Sequence, residues 1–172
     1  MLNKFKKFMV IAAAAVMLSA GFATVAPHEA HAAHWADKQM NWALNNGYIT
    51  VDLRDSLASR QDAWLIMGRA WRDWPGMNRT GASNYVSQYR VAEDGRPTDL
   101  VTRQEMAAFI YNFNNLAYTN KPWPGFLAVN VWAVSRGIYD GTRQNSYATR
   151  AEVVTMVYNA KKKGFLTAPG GM

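Results

Sequence analysis

Three short stretches carry the residue types best suited to do chemistry: Ser59-Arg60-Gln61-Asp62, Thr102-Arg103-Gln104-Glu105 and Thr149-Arg150-Ala151-Glu152. In each, a hydroxyl residue stands three places before a carboxylate, the spacing of a capping box. The hydroxyl accepts from a first-turn backbone N–H and the carboxylate reaches back to the cap residue's own N–H. Asp62 is shorter than Glu, so the box at Ser59 is expected to be weaker than those at Thr102 and Thr149. Capping does not call for the arginine. A cation at the first helical position faces the positive pole of the helix and costs about 0.3 to 1 kcal/mol. Beside the backbone N–H groups of a helix start, a guanidinium offers an anion two kinds of donor, one bidentate and one dipolar. On that reading, removing an arginine leaves the fold intact or slightly firmer and weakens anion binding. The competing roles are pairing with the carboxylate on its own helix or stacking on an aromatic ring.

The elements that must carry these residues follow from the apolar pattern. Each motif opens a run with helical spacing, such as Trp64, Met67 and Trp71 after Arg60, or Met106, Phe109, Ile110 and Phe113 after Arg103. Helices are predicted near residues 60 to 71, 103 to 116 and 150 to 162, meeting at a shared core. A further helix is predicted from His34 to Gly47, where Asn45-Asn46-Gly47 supplies the stop. Trp42-Ala43, Gly47, Ser59-Arg60 and Asp62 map onto Trp132-Ala133, Gly137, Thr149-Arg150 and Glu152 at a constant offset of 90 without gaps. The arginines are 43 and 47 residues apart, a period suited to a helix-loop-helix unit that stacks on its neighbours. In the middle copy Tyr85 replaces Trp42 and Arg90 stands where the helix-ending glycine would be. Three units thus make one core: residues 33–78, a degenerate 79–121, and 122–172 with a short tail.

The chain has 172 residues with 19 Lys and Arg against 12 Asp and Glu, a formal net charge of +7 that invites an anionic partner. Lys4, Lys6 and Lys7 precede an apolar run from Phe8 to Ala23, and Ala30-His31-Ala32 offers a small-x-small site. Residues 1–32 therefore read as a secretory signal peptide cleaved after Ala32, so the mature protein is secreted, keeps no stable membrane insertion and is not expected to meet nucleic acid. The chain has no cysteine, hence no disulfide, lipobox or thiolate metal site. No cofactor or metal is expected. Catalysis is not expected either: Glu93, Glu105 and Glu152 are the only mature glutamates, two of them committed to caps, and His34 is the only mature histidine. Lys161-Lys162-Lys163 reads as a solvated helix end that complements the negative pole.

The third copy, from Ala128 through Trp132-Ala133, Gly137-Ile138, Gly141 and Thr149-Arg150-Ala151-Glu152, resembles the S-layer homology repeat. Trp35-Ala36, twelve residues before Gly47, extends the likeness to the first copy. The resemblance implies an all-α fold, with three helix-loop-helix repeats in a pseudo-threefold arrangement around a central helical bundle. It also implies a protein of the Gram-positive cell wall or S-layer, held without covalent bonds to anionic, often pyruvylated, secondary cell-wall polysaccharide in grooves between repeats. Other S-layer or wall proteins are possible partners. The ligand residues implied are Arg60, Arg103 and Arg150, with Trp35, Trp132, Gly47, Gly137 and Gly141 beside them. Arg150, in the best preserved copy, is expected to matter most. One or two tryptophans are expected at grooves. The alternatives are a secreted protein-binding module, as an adhesin or inhibitor, and a muralytic enzyme.

Overall fold

Six helices account for the regular structure: α1 (Asp37–Asn45), α2 (Arg60–Arg72), α3 (Arg79–Gln88), α4 (Arg103–Asn115), α5 (Phe126–Ser135) and α6 (Arg150–Lys162). The computed structural model describes residues 33–92, 95–115, 117 and 121–167. The signal-peptide reading of residues 1–32 and Glu93 lie outside the described residues. His34 to Met172 forms one compact unit. The fold is mainly helical, and among the described residues extended pairing is confined to three single bridges.

The long helices start where the capping boxes stand. Thr149 is a full box: its Oγ1 accepts from the Glu152 N–H at 3.2 Å, and Glu152 Oε2 accepts from the Thr149 N–H at 2.9 Å. Thr102 and Glu105 make the same two bonds at 3.3 and 2.8 Å. At Ser59 the hydroxyl accepts from the Asp62 N–H, while the Asp62 carboxylate turns to Arg79 and Arg150. The shorter side chain thus completes half a box.

The short helices end alike. Gly47, Arg90 and Gly137 all have positive φ, at 68°, 53° and 61°. The next N–H in each case returns to a carbonyl five residues back, Tyr48 to Ala43, Val91 to Val86 and Ile138 to Ala133, each at 2.9 Å. Arg90 accepts the left-handed conformation that glycine takes elsewhere, at a cost of about 1 kcal/mol. Gly47 is needed for a second reason: a Cβ there would lie 2.8 Å from Pro75 Cβ.

The first helix of each repeat packs on the second helix of the repeat before it: α3 on α2, α5 on α4, and α1 back on α6. Trp42 meets Tyr158 edge-on at 5.1 Å, and Trp132 meets Tyr111 edge-on at 5.1 Å. At the remaining junction Gly68 takes the tyrosine position and Tyr85 packs on Trp71 at 5.0 Å. The exchange matches the packing here, because a Cβ on Gly68 would sit 2.6 Å from Met77 Sδ and require that side chain to move. Buried Ile66, Met67, Met106, Ile110, Val153 and Val157 bring α2, α4 and α6 into the shared core.

The loops before the long helices close on one another. The Ala58 N–H donates to Ala148 O at 2.9 Å, the Ala148 N–H to Val101 O at 2.8 Å and the Val101 N–H to Ala58 O at 3.0 Å, all at fully buried residues. The same loops supply carbonyls to the neighbouring helix starts. Arg60 and Gln61 donate to Asp99 and Pro97, Arg103 and Gln104 to Ser146 and Gln144, and Arg150 and Ala151 to Ser56 and Arg54.

Charged contacts fasten the periphery. Lys161 Nζ donates to the Ala70 carbonyl at 2.7 Å and to Asp73 at 2.8 Å. It therefore complements the end of α2, where the sequence suggested a solvated tail of its own helix. Arg54 pairs with Asp52 and Asp37, and these contacts hold both carboxyls below the usual range. Burial alone would raise Asp73, but the Lys161 and Tyr48 hydroxyl bonds outweigh it and leave it lowered. Asp140 is likewise lowered: burial pushes up, and bonds from Thr142 and Arg103 outweigh it. Carboxyls depressed in the fold contribute stability that is complete above the unfolded aspartate value and is lost as pH falls through the folded values. The melting temperature is therefore expected to hold from neutral pH down to about 5 and to drop steeply below about pH 4. A melting temperature that stays level down to about pH 3 would contradict this account.

Candidate functional site

The three motif arginines do not face their own helix starts. Arg60 Nη1 donates to Glu105 at 2.7 Å, Arg103 Nη1 to Glu152, and Arg150 Nη1 lies 3.5 Å from Asp62. Each arginine thus reaches the capping carboxylate of the next repeat, and the third returns to the first. Arg103 also donates to Asp140 at 2.5 Å. Stacking adds to the pairing: the Arg60 guanidinium lies 5.0 Å from the Phe109 ring and that of Arg103 lies 5.7 Å from Tyr139. Arg60 and Arg103 are 3% and 5% exposed. The helix-start half of the expected anion site is absent, since backbone carbonyls of the neighbouring repeat already fill the first two N–H groups of each long helix. The competing expectation of pairing on the same helix fails too. The geometry selects the neighbouring repeat's carboxylate.

Two grooves of the same construction lie at the repeat junctions. The first, of about 320 Å³, is lined by Arg60, Arg96, Glu105, Asn112 and Trp123 among others. The second, of about 350 Å³, is lined at corresponding places by Arg103, Arg143, Glu152, Asn159 and Trp35. In each, the motif arginine comes from one repeat, the carboxylate and asparagine from the next, and the tryptophan from the segment preceding the first helix of the third. Asn112 Nδ2 donates to Val91 O at 2.9 Å and Asn159 Nδ2 to Ile138 O at 3.0 Å, fixing both amides. Trp35 and Trp123 are 60% and 41% exposed. Arg96 lies 3.9 Å from Glu105, and Arg143 donates to Glu152. Both of these arginine side chains are 57% exposed, so they stand at the groove rims where a ligand can reach them. On the second groove's wall, Arg103 Nε and Thr155 Oγ1 are buried with no hydrogen-bond partner among the described residues.

The third junction is built differently. Where the grooves have asparagine, α2 carries Arg69, whose guanidinium donates to Met77 O at 2.9 Å and Tyr48 O at 3.2 Å. Burial holds Arg69 below its ordinary value, as expected for a cation enclosed by protein. Arg150 lines neither groove, so the residue expected to matter most stands apart from both.

Of the other expected contacts, Trp35 and Gly137 line the second groove. Trp132 does not; its ring is held between Tyr111 and Phe165 as junction packing. Gly47 lies against Pro75, and Gly141 is needed for backbone reasons, with φ of 77° and Val134 Cγ2 2.6 Å from a hypothetical Cβ. Arg96 and Arg143 are the additional site residues. Both precede a motif arginine by seven places, a regularity visible in the sequence once the repeats are aligned on those arginines.

Compared with known proteins, the chain matches no family model and no curated protein. The chemistry of the site therefore rests on its geometry. A groove with a fixed amide, an exposed indole and a rim guanidinium can stack an apolar ring face and bind carboxylate or hydroxyl oxygens around it.

Proposed function

We propose that this is an exported binding protein that attaches without covalent bonds to anionic, pyruvylated cell-wall polysaccharide through the two grooves. It has no catalytic role in this reading. The observation that carries it is the repetition of one constellation at two junctions, with arginine, carboxylate and amide from corresponding residues and an indole from nearby positions, Trp123 standing two places before Gly125, the counterpart of Trp35. The closed ring of loop hydrogen bonds supports the further reading of three S-layer homology repeats in a pseudo-threefold arrangement. The ligand contacts in this reading are Arg96 and Arg143 at the rims, with Trp123 and Trp35 as stacking faces. Arg60 and Arg103 brace the groove walls.

The test is co-sedimentation with purified walls, before and after chemical removal of the polysaccharide. Arg96→Ala and Arg143→Asn are each expected to weaken binding by about tenfold, the loss of one charge-assisted contact. Asparagine is used at 143 because that backbone has a φ of 48°. Melting should shift little, since Arg96 lies 3.9 Å from Glu105, which keeps Arg60, and Glu152 keeps Arg103 when Arg143 is replaced. Full binding by the double variant, or binding to stripped walls, rejects the proposal. Leu127 and Val131, 81% and 64% exposed on α5, support a second reading as a protein-binding module. Wall binding that is lost on Leu127→Ser but kept in the arginine double variant would favour it.

A further inference from the structure

A cleft of about 510 Å³ lies at the junction of α2 and α3, apart from both grooves. Its aromatic side is made by Trp71, Tyr85 and Tyr89, whose rings meet in pairs at 5.0 to 5.5 Å. Trp74 stands at its edge, 54% exposed. Its backbone is anchored and its ring edge has a neighbour, although the indole faces solvent. Its backbone N–H donates to Arg69 O at 3.0 Å, and its ring edge lies against Gly76, where a Cβ would come within 2.7 Å of Nε1. The polar side offers the exposed amides of Asn84 and Gln88 and the guanidinium of Arg72, which lies 4.3 Å from the Trp71 ring. No acidic side chain is among the lining residues. The buried Trp71 indole N–H meets no acceptor among the described residues.

The repeat architecture does not require these rings. Trp71, Trp74 and Tyr89 correspond to Asn114, Ala117 and Arg136 at one of the other junctions and to Lys161, Gly164 and Asn46 at the other. Both of those junctions pack without them. Trp71 and Tyr89 belong to the packing of this junction, where Tyr85 fills the space that Gly68 leaves, whereas Trp74 is 54% exposed at the cleft's edge beside the amides and is not needed to close the core.

We propose that this cleft is a separate carbohydrate subsite for uncharged hexopyranose units. The apolar face of a pyranose lies on the exposed Trp74 indole, and Asn84 and Gln88 bond its hydroxyl groups, each amide serving as both donor and acceptor. Arg72 donates to ring or hydroxyl oxygens, and no carboxylate is present to require a cationic sugar.

The test uses the chain from Ala33 onward, ¹⁵N-labelled, titrated with cellotetraose and chitotetraose while its indole N–H signals are followed. Those of Trp71 and Trp74 should move saturably, with a Kd on the order of 1 mM. Trp74→Ala should weaken binding by about tenfold or more with an unchanged melting temperature, and Asn84→Ala should weaken it less. Arg96→Ala, which disables a groove, should leave this binding intact, so the cleft and the groove proposal can fail independently. Indole signals that stay fixed at about 10 mM sugar overturn the proposal. So do shifts confined to Trp35 and Trp123, parent affinity in Trp74→Ala, or preference for a uronic-acid tetrasaccharide.

Discussion

Deleting Lys121 to Met172 is expected to leave no cooperatively folded remnant. The deletion removes α5 and α6, and with them the packing partners of α4 and α1. It takes Ala148, which both accepts from Ala58 and donates to Val101. The start of α4 loses the carbonyls of Ser146 and Gln144, and Arg103 loses Glu152 and Asp140. The fragment would expose the core faces of Met67, Met106 and Ile110 with nothing to cover them. Quasi-linear repeat arrays survive loss of an end unit because each unit contacts only its neighbours. Here the end units are neighbours, since α1 packs on α6. Calorimetry of residues 33–120 should show no unfolding peak. A sharp transition with substantial enthalpy would mean that two repeats suffice.

Replacing Arg103 by alanine is expected to destabilise the protein by about 3 kcal/mol, the lower end of the cost of breaking a buried ion pair. The lower end applies because Glu152 keeps Arg143 as a second partner. Side chains of Arg103 and Glu152 are 6% and 9% exposed, so solvent replaces little of what is lost. For a chain of this size the melting temperature should fall by about 10 °C. Arg103→Met combined with Glu152→Gln should recover part of the loss, because it removes both charges together. The dipole argument from sequence expects the opposite, a fold unchanged or firmer. Melts of the two variants decide between them, and an alanine variant as stable as the parent rejects the buried-pair account.

That reversal marks where the sequence stops being legible. Spacing along one chain identified the starts of α2, α4 and α6, the caps at Ser59, Thr102 and Thr149, and the helix-ending glycines Gly47 and Gly137, but it marked Arg90 as a departure where the left-handed turn is in fact kept. These depend on interactions within a few residues. The partner of each arginine depends on which repeat lies beside which, and the motif gives the same local picture whether Arg60 turns to Asp62 or to Glu105. The filling of the helix starts by Asp99, Ser146 and Ser56 carbonyls was hidden for the same reason, as backbone acceptors leave no trace in residue type. Arg69 was readable only as a helix residue. Its closing of the third junction appears once Met77 and Tyr48 are placed around it.

Closing the loop ring joins Ala58 to Ala148, residues far apart in the chain. The entropy of drawing those residues together is spent before the bond returns anything, and folding slows as contacts become more distant in sequence. Despite its helices, this protein should fold more slowly than an up-and-down bundle of equal length. A chain emerging from its N-terminal end has no ring to complete until the last repeat arrives. Until then it should remain incompletely folded, and its final segment should act as the latch.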